Sequence, residues 1–325
     1  MQGILLVNTG SPATKERKDV AAFVRAMLLD PLVLTVPDWF RPILVNGLIM
    51  PLRQFASTKK YSLIWDDGHK SSPLLYNMYQ LASKLEVHIN LPVEVAMRYN
   101  EPSIRGALQR LCDRDVNLHE VIVVPMFPQY AQSSYQTVVD EVGRQFLEKP
   151  YPFRLKFVKP YFNHSGYIDA LCQSLKPFVD KEYDLLLFNF HSLPISHVKD
   201  GWKKGKDFDY VYQLKETVLQ VQKQLGLDIL HNRIVYSSAV GNDWMKPFLD
   251  DTMKEIAGEG FKNILIISPG FATDNLETLY DIKIAAKELF FRHGGKSLTY
   301  VPCLNSEDYW VEGLTKIIFS VNNNI

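Results

Sequence analysis

The sequence predicts an α/β protein built as two similar lobes, each a parallel sheet flanked by helices. Three observations predict it. Short β-branched or Leu-rich runs recur along the chain, longer amphipathic stretches separate them, and most runs end in Pro, Gly or polar residues. Continuous apolar runs are the habit of strands buried on both faces, as in parallel sheets, and parallel neighbours need crossovers that helices supply. At 325 residues the chain is long for a single core, which favours two lobes.

In chain order, the first lobe's strands fall at Ile4–Val7, Val93–Met97, Val121–Val124 and Phe153–Val158. The first runs into the turn residues Asn8-Thr9-Gly10-Ser11-Pro12, and the third stops at Pro125 and Pro128. The second lobe's strands fall at Leu185–Phe190, Arg233–Tyr236, Ile264–Ile267 and Leu298–Val301, with Ser268-Pro269-Gly270 closing the third. The boundary lies near Pro160 to Gly166, giving lobes 1–162 and 163–325.

The segment from Leu28 to Leu52 breaks the rhythm. It is rich in large apolar side chains yet cut by Pro31, Pro37, Pro42 and Pro51, a pattern that a regular core helix does not tolerate. Two readings fit it: an apolar lip over a hydrophobic pocket, able to touch a membrane surface, or irregular core packing between the lobes.

Composition excludes several classes. The 36 basic and 36 acidic residues cancel, and no run interleaves aromatic residues with Lys or Arg, so no nucleic-acid partner is expected. Cys112, Cys172 and Cys303 form no CxxC pair, which fits a reducing compartment and argues against a disulfide framework, a zinc ribbon or a four-cysteine iron–sulfur site. The N-terminus enters a strand at once with no basic leader, and no apolar stretch is long enough to span a bilayer; a cytoplasmic protein is expected. Gly10 lacks the further glycines of a dinucleotide fingerprint and the lysine of a P-loop, and Ser192 is not in a Gly-x-Ser-x-Gly elbow.

The chemistry concentrates at two places. In Leu185-Leu186-Leu187-Phe188-Asn189-Phe190-His191-Ser192-Leu193-Pro194 an apolar strand stops at a histidine, and the proline forbids its continuation. His191 therefore sits at the carboxyl end of a buried strand, where open α/β sheets keep their ligands. The other histidines have polar or turn contexts, with His197, close by in a loop, an outside candidate. Glu277 and Asp281 follow the strand Ile264–Ile267 and its turn, four residues apart, so in a helix they share one face, with Thr273 or Asp274 as its cap. A neutral imidazole beside a carboxylate suits a divalent ion of the Fe²⁺ type, or base-assisted removal of weakly acidic protons.

Motifs along nearly the whole chain resemble the ferrochelatases. They include Leu5-Leu6-Val7-Asn8-Thr9-Gly10-Ser11-Pro12, Ala96-Met97-Arg98-Tyr99, Pro125-Met126-Phe127-Pro128-Gln129-Tyr130 with Ser133-Ser134, His191-Ser192-Leu193-Pro194, and Leu276-Glu277-Thr278-Leu279. The tail Tyr300-Val301-Pro302-Cys303-Leu304-Asn305 also matches. The resemblance implies a class II chelatase-like fold of two Rossmann-like lobes and insertion of Fe²⁺ into protoporphyrin IX, the last step of heme b synthesis. It implies His191 and Glu277 as the metal-site and catalytic pair, with Asp281 the next acidic position. It places Thr9, Arg98, Tyr99, Ser134 and Tyr135 at the porphyrin, and makes Leu28–Leu52 a lip that leans on the inner face of a membrane. Porphyrin and Fe²⁺ are the implied partners, and no cofactor beyond substrate Fe²⁺ is expected. No iron–sulfur cluster of the kind that some members hold on a cysteine-rich extension is expected.

The chain departs from the family pattern in places. Asn275 stands where many members carry histidine, Ala285 ends the acidic ladder after Asp281, and Ala239 replaces a frequent arginine. Lys199-Asp200-Gly201-Trp202-Lys203-Lys204-Gly205-Lys206 replaces a shorter turn. Thr9 stands where the coproporphyrin-using branch tends to carry tyrosine, which favours protoporphyrin. A coproporphyrin III ferrochelatase, a cobalt or nickel chelatase on the same fold, and a non-catalytic heme or porphyrin carrier are the alternatives.

Overall fold

All eight apolar runs are strands in the computed structural model, which describes residues 1–321. β1 (Gln2–Asn8), β2 (Val93–Met97), β3 (Glu120–Pro125) and β4 (Arg154–Phe157) form one sheet in the order β2-β1-β3-β4. β5 (Leu185–His191), β6 (Asn232–Ser237), β7 (Asn263–Ile267) and β8 (Ser297–Tyr300) form a second in the order β6-β5-β7-β8. Every pairing is parallel. The second order repeats the first, strand for strand, so the two sheets share one topology.

This order dictates where a ligand can sit. The chain leaves β1 toward β2 on one side and returns to β3 on the other, and it does the same around β5. Crossovers on opposite faces open a crevice at the carboxyl ends of the strands flanking each reversal. In the first sheet those strands are β1 and β3; in the second they are β5 and β7.

The chain divides into two compact units between Lys159 and Pro160. They are not the contiguous stretches 1–162 and 163–325: residues 128–131 group with the second unit, and residues 315–321 group with the first. The local reason for the first exception is a buried polar contact, in which Gln213 accepts from the Tyr130 backbone N–H at 2.7 Å and Gln129 donates to Thr217 at 3.0 Å.

In the first unit the core lies between β1, β3 and the helices Ile104–Arg114 and Thr137–Glu148, through Leu5, Val7, Leu108, Val121, Val123 and Val138. Glu120 opens β3 and is buried. It accepts from Gln2 and Arg154 at 2.6 Å each and pairs with Lys156 at 3.2 Å, tying β1, β3 and β4 together by one charge. Gly10 follows β1 with φ +112°, and a Cβ there would strike the carbonyl oxygen of Tyr99, so the turn after β1 needs glycine for close approach rather than for phosphate.

In the second unit Leu187, Val235, Ile264, Ile266, Met253 and Phe290 form the corresponding core. The helices Ser165–Val179 and Asp308–Ser320 touch backbone to backbone at Gly166 and Gly313, beside the fully buried Trp310 and its ring contact with Tyr167. Cys172 and Cys303 are buried and Cys112 partly so, all as free thiols.

The proline-cut segment is more regular than expected. From Arg41 to Ile64 the chain is one continuous helix, with α-helical Arg41–Leu44, a π turn at Val45–Ile49, and α-helical Met50–Ile64. Pro42 sits in the first turn, where a missing N–H costs nothing. Pro51 is the second residue after the π turn, whose wider hydrogen-bond spacing absorbs both the absent donor and the ring. The side chains of the segment divide between buried and exposed. Val45 and Met50 point inward, but Trp39 is 74% and Leu52 75% exposed, and Ile43, Leu48 and Phe55 are exposed as well. Lys199–Lys206, which stands in place of a shorter turn, largely belongs to a helix, Ile195–Lys204.

Candidate active site

β5 carries His191 as its last residue, in register with Ser237, the last residue of β6. Pro194 ends the strand, and the chain beyond it is stitched to the loop after β6. Ile195 N–H donates to the Asp243 carbonyl at 2.9 Å, Met245 N–H to Leu193 at 3.0 Å, and the Ser192 hydroxyl to Met245 at 3.0 Å. Tyr210 donates to the His191 carbonyl at 3.0 Å. The histidine backbone is thus held from three directions while its side chain stays 41% exposed.

Glu277 comes from the other flank of the reversal, after β7. The segment Glu277–Ala286 is π-helical rather than α-helical. Its entry is set by Asn275, whose Oδ1 accepts from the Glu277 N–H at 2.9 Å, while the Asn275 N–H donates to Thr278 Oγ1 at 2.9 Å. Neither Thr273 nor Asp274 is the cap. Asp274 turns inward, accepting from Thr278 Oγ1 at 3.0 Å, Tyr300 at 2.6 Å and Asn305 Nδ2 at 2.7 Å. A buried carboxylate with three donors is worth more to the fold than an exposed cap.

These elements meet at one contact. Nδ1 of His191 lies 2.7 Å from Oε2 of Glu277, and the Ser237 hydroxyl donates to Oε1 of the same carboxylate at 2.5 Å. An ionised carboxylate only accepts, which puts a ring proton on Nδ1, so that in the neutral imidazole the lone pair is on Nε2. Glu277 is only 12% exposed. Burial pushes its carboxyl up, but the charge and hydrogen bond of His191, with hydrogen bonds from Ser237 and Ser238, outweigh burial and hold it below the usual carboxylate range. Asp281 lies one turn along, half-buried, 3.5 Å from the hydroxyl of Ser238, a residue held at φ +61° just beyond β6. Among the described residues no three His, Cys, Asp or Glu side chains gather as a metal-holding group.

In the first unit the predicted residues occupy the equivalent strand ends. Thr9 follows β1, Arg98 and Tyr99 follow β2, and Ser134 and Tyr135 lie in a π turn, Gln132–Gln136, after β3. Their polar atoms are largely committed. Arg98 donates to Asp30 at 2.6 Å and to Thr137 at 2.7 Å, and Tyr99 donates to the same Asp30 oxygen at 2.8 Å. Tyr135 donates to the Val158 carbonyl at 2.9 Å. Thr9 is half-buried, its N–H given to Asn8 Oδ1 at 2.7 Å, and Ser134 is half-buried. Asp30, Asn189 and Ser237 are the residues that sequence reasoning missed. Asn189 had a signal, being a lone amide in an apolar strand two residues before His191 and so on the same sheet face.

Comparison with known proteins now decides the family: the ferrochelatase family model matches residues 1–321. The chain belongs to the ferrochelatase family. A ferrochelatase of Porphyromonas gingivalis is 31% identical, over 97% of this chain and 95% of its own length. That of Ectopseudomonas mendocina is 34% identical, over 96% and 95%. Among solved structures, SirB from Bacillus subtilis, determined with Fe³⁺, aligns over 99% of this chain and 96% of its own with a TM-score of 0.58 at 12% identity, a likeness of fold. Ferrochelatases are metal chelatases that insert Fe²⁺ into a porphyrin in heme synthesis, and this chain is such an enzyme.

Proposed function

We propose that this ferrochelatase metallates protoporphyrin IX to heme b, with His191 accepting pyrrole protons and Glu277 and Asp281 serving the iron and the released protons. The observation that carries the reading is the His191–Glu277 contact at the carboxyl ends of β5 and β7. Metallation exchanges two pyrrole N–H protons for one Fe²⁺, so the site needs a base that is neutral before each transfer and tolerated as a cation after it. Nε2 of His191 offers the lone pair, and the carboxylate on Nδ1 stabilises the imidazolium that forms. The Glu277 carboxylate accepts from His191 and Ser237 and keeps further lone pairs for passing iron. Two such donors are too few to retain an ion on their own, which suits iron as substrate, with the macrocycle's nitrogens completing its coordination. Asp281 is the next carboxylate along the helix, for protons on their way out.

The choice of macrocycle rests on Thr9 and Arg98. Coproporphyrin carries four carboxylates and protoporphyrin two. Arg98, the one cation among the residues assigned to the porphyrin, is already neutralised by Asp30. A wall without a spare cation favours the less acidic macrocycle. The hydroxyls of Tyr99 and Tyr135 are likewise engaged inside the protein, so these residues act as rigid supports of the wall, against which a flat porphyrin is held bent.

The lip completes the proposal. No described helix is long and apolar enough to cross a membrane. Helix 41–64 with Trp39 instead exposes an apolar face with the cations Arg53 and Lys59 beside it, the composition of a surface that rests on anionic lipid from the cytoplasmic side.

The test is an anaerobic assay of purified protein with Fe²⁺ and protoporphyrin IX, following free-base absorbance over time. Multiple turnovers that disappear in His191→Ala support the reading. One stoichiometric spectral shift without turnover makes the protein a carrier, and turnover only with coproporphyrin III, or only with Co²⁺ or Ni²⁺, moves it to the corresponding chelatase.

A further inference from the structure

Behind the His191–Glu277 contact runs a row of buried polar side chains that the reaction as described leaves unused. Asn189 lies on β5 between Phe188 and Phe190 and is 0% exposed. Two residues before His191, it shares that residue's sheet face, as does Ser237, the register partner of His191 on β6. Asn189 Nδ2 donates to Ser237 Oγ at 2.9 Å, with Ser268 Oγ 3.5 Å away on the β7 side, and Ser237 donates to Glu277 at 2.5 Å.

We propose that Ser237, oriented by Asn189, is a positioning residue for metal insertion: it seats the Glu277 carboxylate against Nδ1 of His191 and so decides which ring nitrogen takes a pyrrole proton. The proposal rests on the reading of His191 as the proton acceptor.

The direction of every bond in the row follows from one fact, that an ionised carboxylate has no hydrogen to give. The single hydroxyl hydrogen of Ser237 therefore points at Oε1, and Asn189 approaches the same hydroxyl through its N–H. The cost is visible at the far end. Asn189 Oδ1 is buried and has no hydrogen-bond partner among the described residues. Turning the amide over would bring that oxygen to 2.9 Å from Ser237 Oγ, with Ser268 Oγ at 3.5 Å, where it competes with Glu277 for the Ser237 hydrogen. Keeping a buried acceptor unsatisfied is unfavourable, and a group kept that way calls for an explanation. Holding a donor on Glu277 is the explanation offered here.

A relay for protons leaving Glu277 does not fit this row. Ser237 has no second hydrogen, an amide N–H does not pass protons on, and Asn189 ends in the apolar core. Ser237 also has a competing acceptor, the Phe190 carbonyl at 3.4 Å. Without Asn189 the hydroxyl is free to turn toward it, and the carboxylate to swing off Nδ1.

The test combines kinetics with histidine tautomer spectroscopy on full-length enzyme. Ser237→Ala is expected to lower kcat for Fe²⁺ insertion about tenfold, the scale of one charge-assisted hydrogen bond, with the porphyrin KM within about twofold of wild type. Ser237→Thr, which keeps the hydroxyl, is expected to recover most of the rate, and Asn189→Leu to lose several-fold in kcat with the same unchanged KM. In ¹⁵N-histidine spectra at about pH 8, above the ordinary histidine range, His191 is expected as the Nδ1–H tautomer in wild type and as a mixture in Ser237→Ala. A Ser237→Ala enzyme with kcat within twofold of wild type, or with its loss confined to KM, overturns the proposal. Should Ser237→Ala fold poorly by thermal melting, Asn189→Leu is judged by the same criteria. His191→Ala in the same assay separates the two levels: turnover without His191 defeats the proton-acceptor reading, whereas an inactive His191→Ala beside a fully active Ser237→Ala defeats only the positioning role.

Discussion

Nδ1 of His191 sits 2.7 Å from Oε2 of Glu277, joining the end of β5 to the start of a π-helical segment 86 residues further along the chain. With its backbone held by β5, Tyr210 and the loop after β6, this histidine contributes through its ring. His191→Ala is therefore expected to abolish turnover, by more than about a hundredfold for loss of a general base, while porphyrin affinity changes little. Fluorescence titration of the free base against wild type and variant checks the second half. A variant that loses binding and turnover together would make His191 a binding residue.

The two carboxylates are expected to rank. Glu277 is almost enclosed and touches His191, whereas Asp281 is half-buried and reaches Ser238 at 3.5 Å. Glu277→Gln is expected to cost at least about tenfold more in kcat than Asp281→Asn, because an amide opposite Nδ1 no longer stabilises an imidazolium. Steady-state rates of the two variants decide it, and the reverse order would exchange the acidic roles.

The lip is tested on lipid. Replacing Trp39, Leu48 and Leu52 by Ser removes exposed apolar area without touching the inward Val45 and Met50. Co-sedimentation with vesicles containing phosphatidylserine is expected to fall several-fold, with rates on detergent-dispersed porphyrin unchanged. Equal sedimentation of both proteins would remove the membrane role.

Gly313 is expected to be intolerant of a single methyl group. A Cβ there would strike the Gly166 carbonyl oxygen, and a Cβ on Gly166 would stand 2.5 Å from the Gly313 oxygen. Gly313→Ala should destabilise by about 1–3 kcal/mol, seen as a lower Tm. Because both partners are backbone, no rotamer change relieves the clash.

Glu120 supplies a pH signature for stability. Burial pushes its carboxyl up, but hydrogen bonds from Gln2, Arg154 and Lys156 outweigh burial and hold it below the ordinary value of about 4.5. A depressed carboxyl stabilises the fold fully above the ordinary value, and that contribution is lost as pH falls through the lower folded value. Glu120→Gln should cost roughly 1–3 kcal/mol at neutral pH, and the gap to wild type should close on acidification. Urea melts at several pH values measure both.

The strands and the place of His191 were legible because their causes are local. A run such as Leu185–Phe190 is apolar because both faces of a parallel strand are buried, and Pro194 forbids extension whatever surrounds it. Glu277 was legible as a residue shortly after a buried strand. The helix around it was not, because α- and π-helical segments differ by one residue in hydrogen-bond spacing and share nearly the same apolar pattern. Pro51 misled for the same reason: a π turn beside it lets the helix continue.

What the sequence by itself determined is the set of elements, their alternation, and the residues at strand ends where chemistry belongs. Tertiary structure alone decided which of those residues meet. Asn189 reaches Ser237 and Ser237 reaches Glu277 across 48 and 40 residues, and Arg98 closes on Asp30 across 68. The physical reason is that a side chain's partner is chosen by sheet order and by competition among donors for one buried acceptor. Asp274 shows the competition most directly: its position suits a helix cap, yet three donors from Thr278, Tyr300 and Asn305 draw it inward and leave the cap to Asn275. No stretch of chain around Asp274 records that two of those donors arrive from β8 and the loop beyond it.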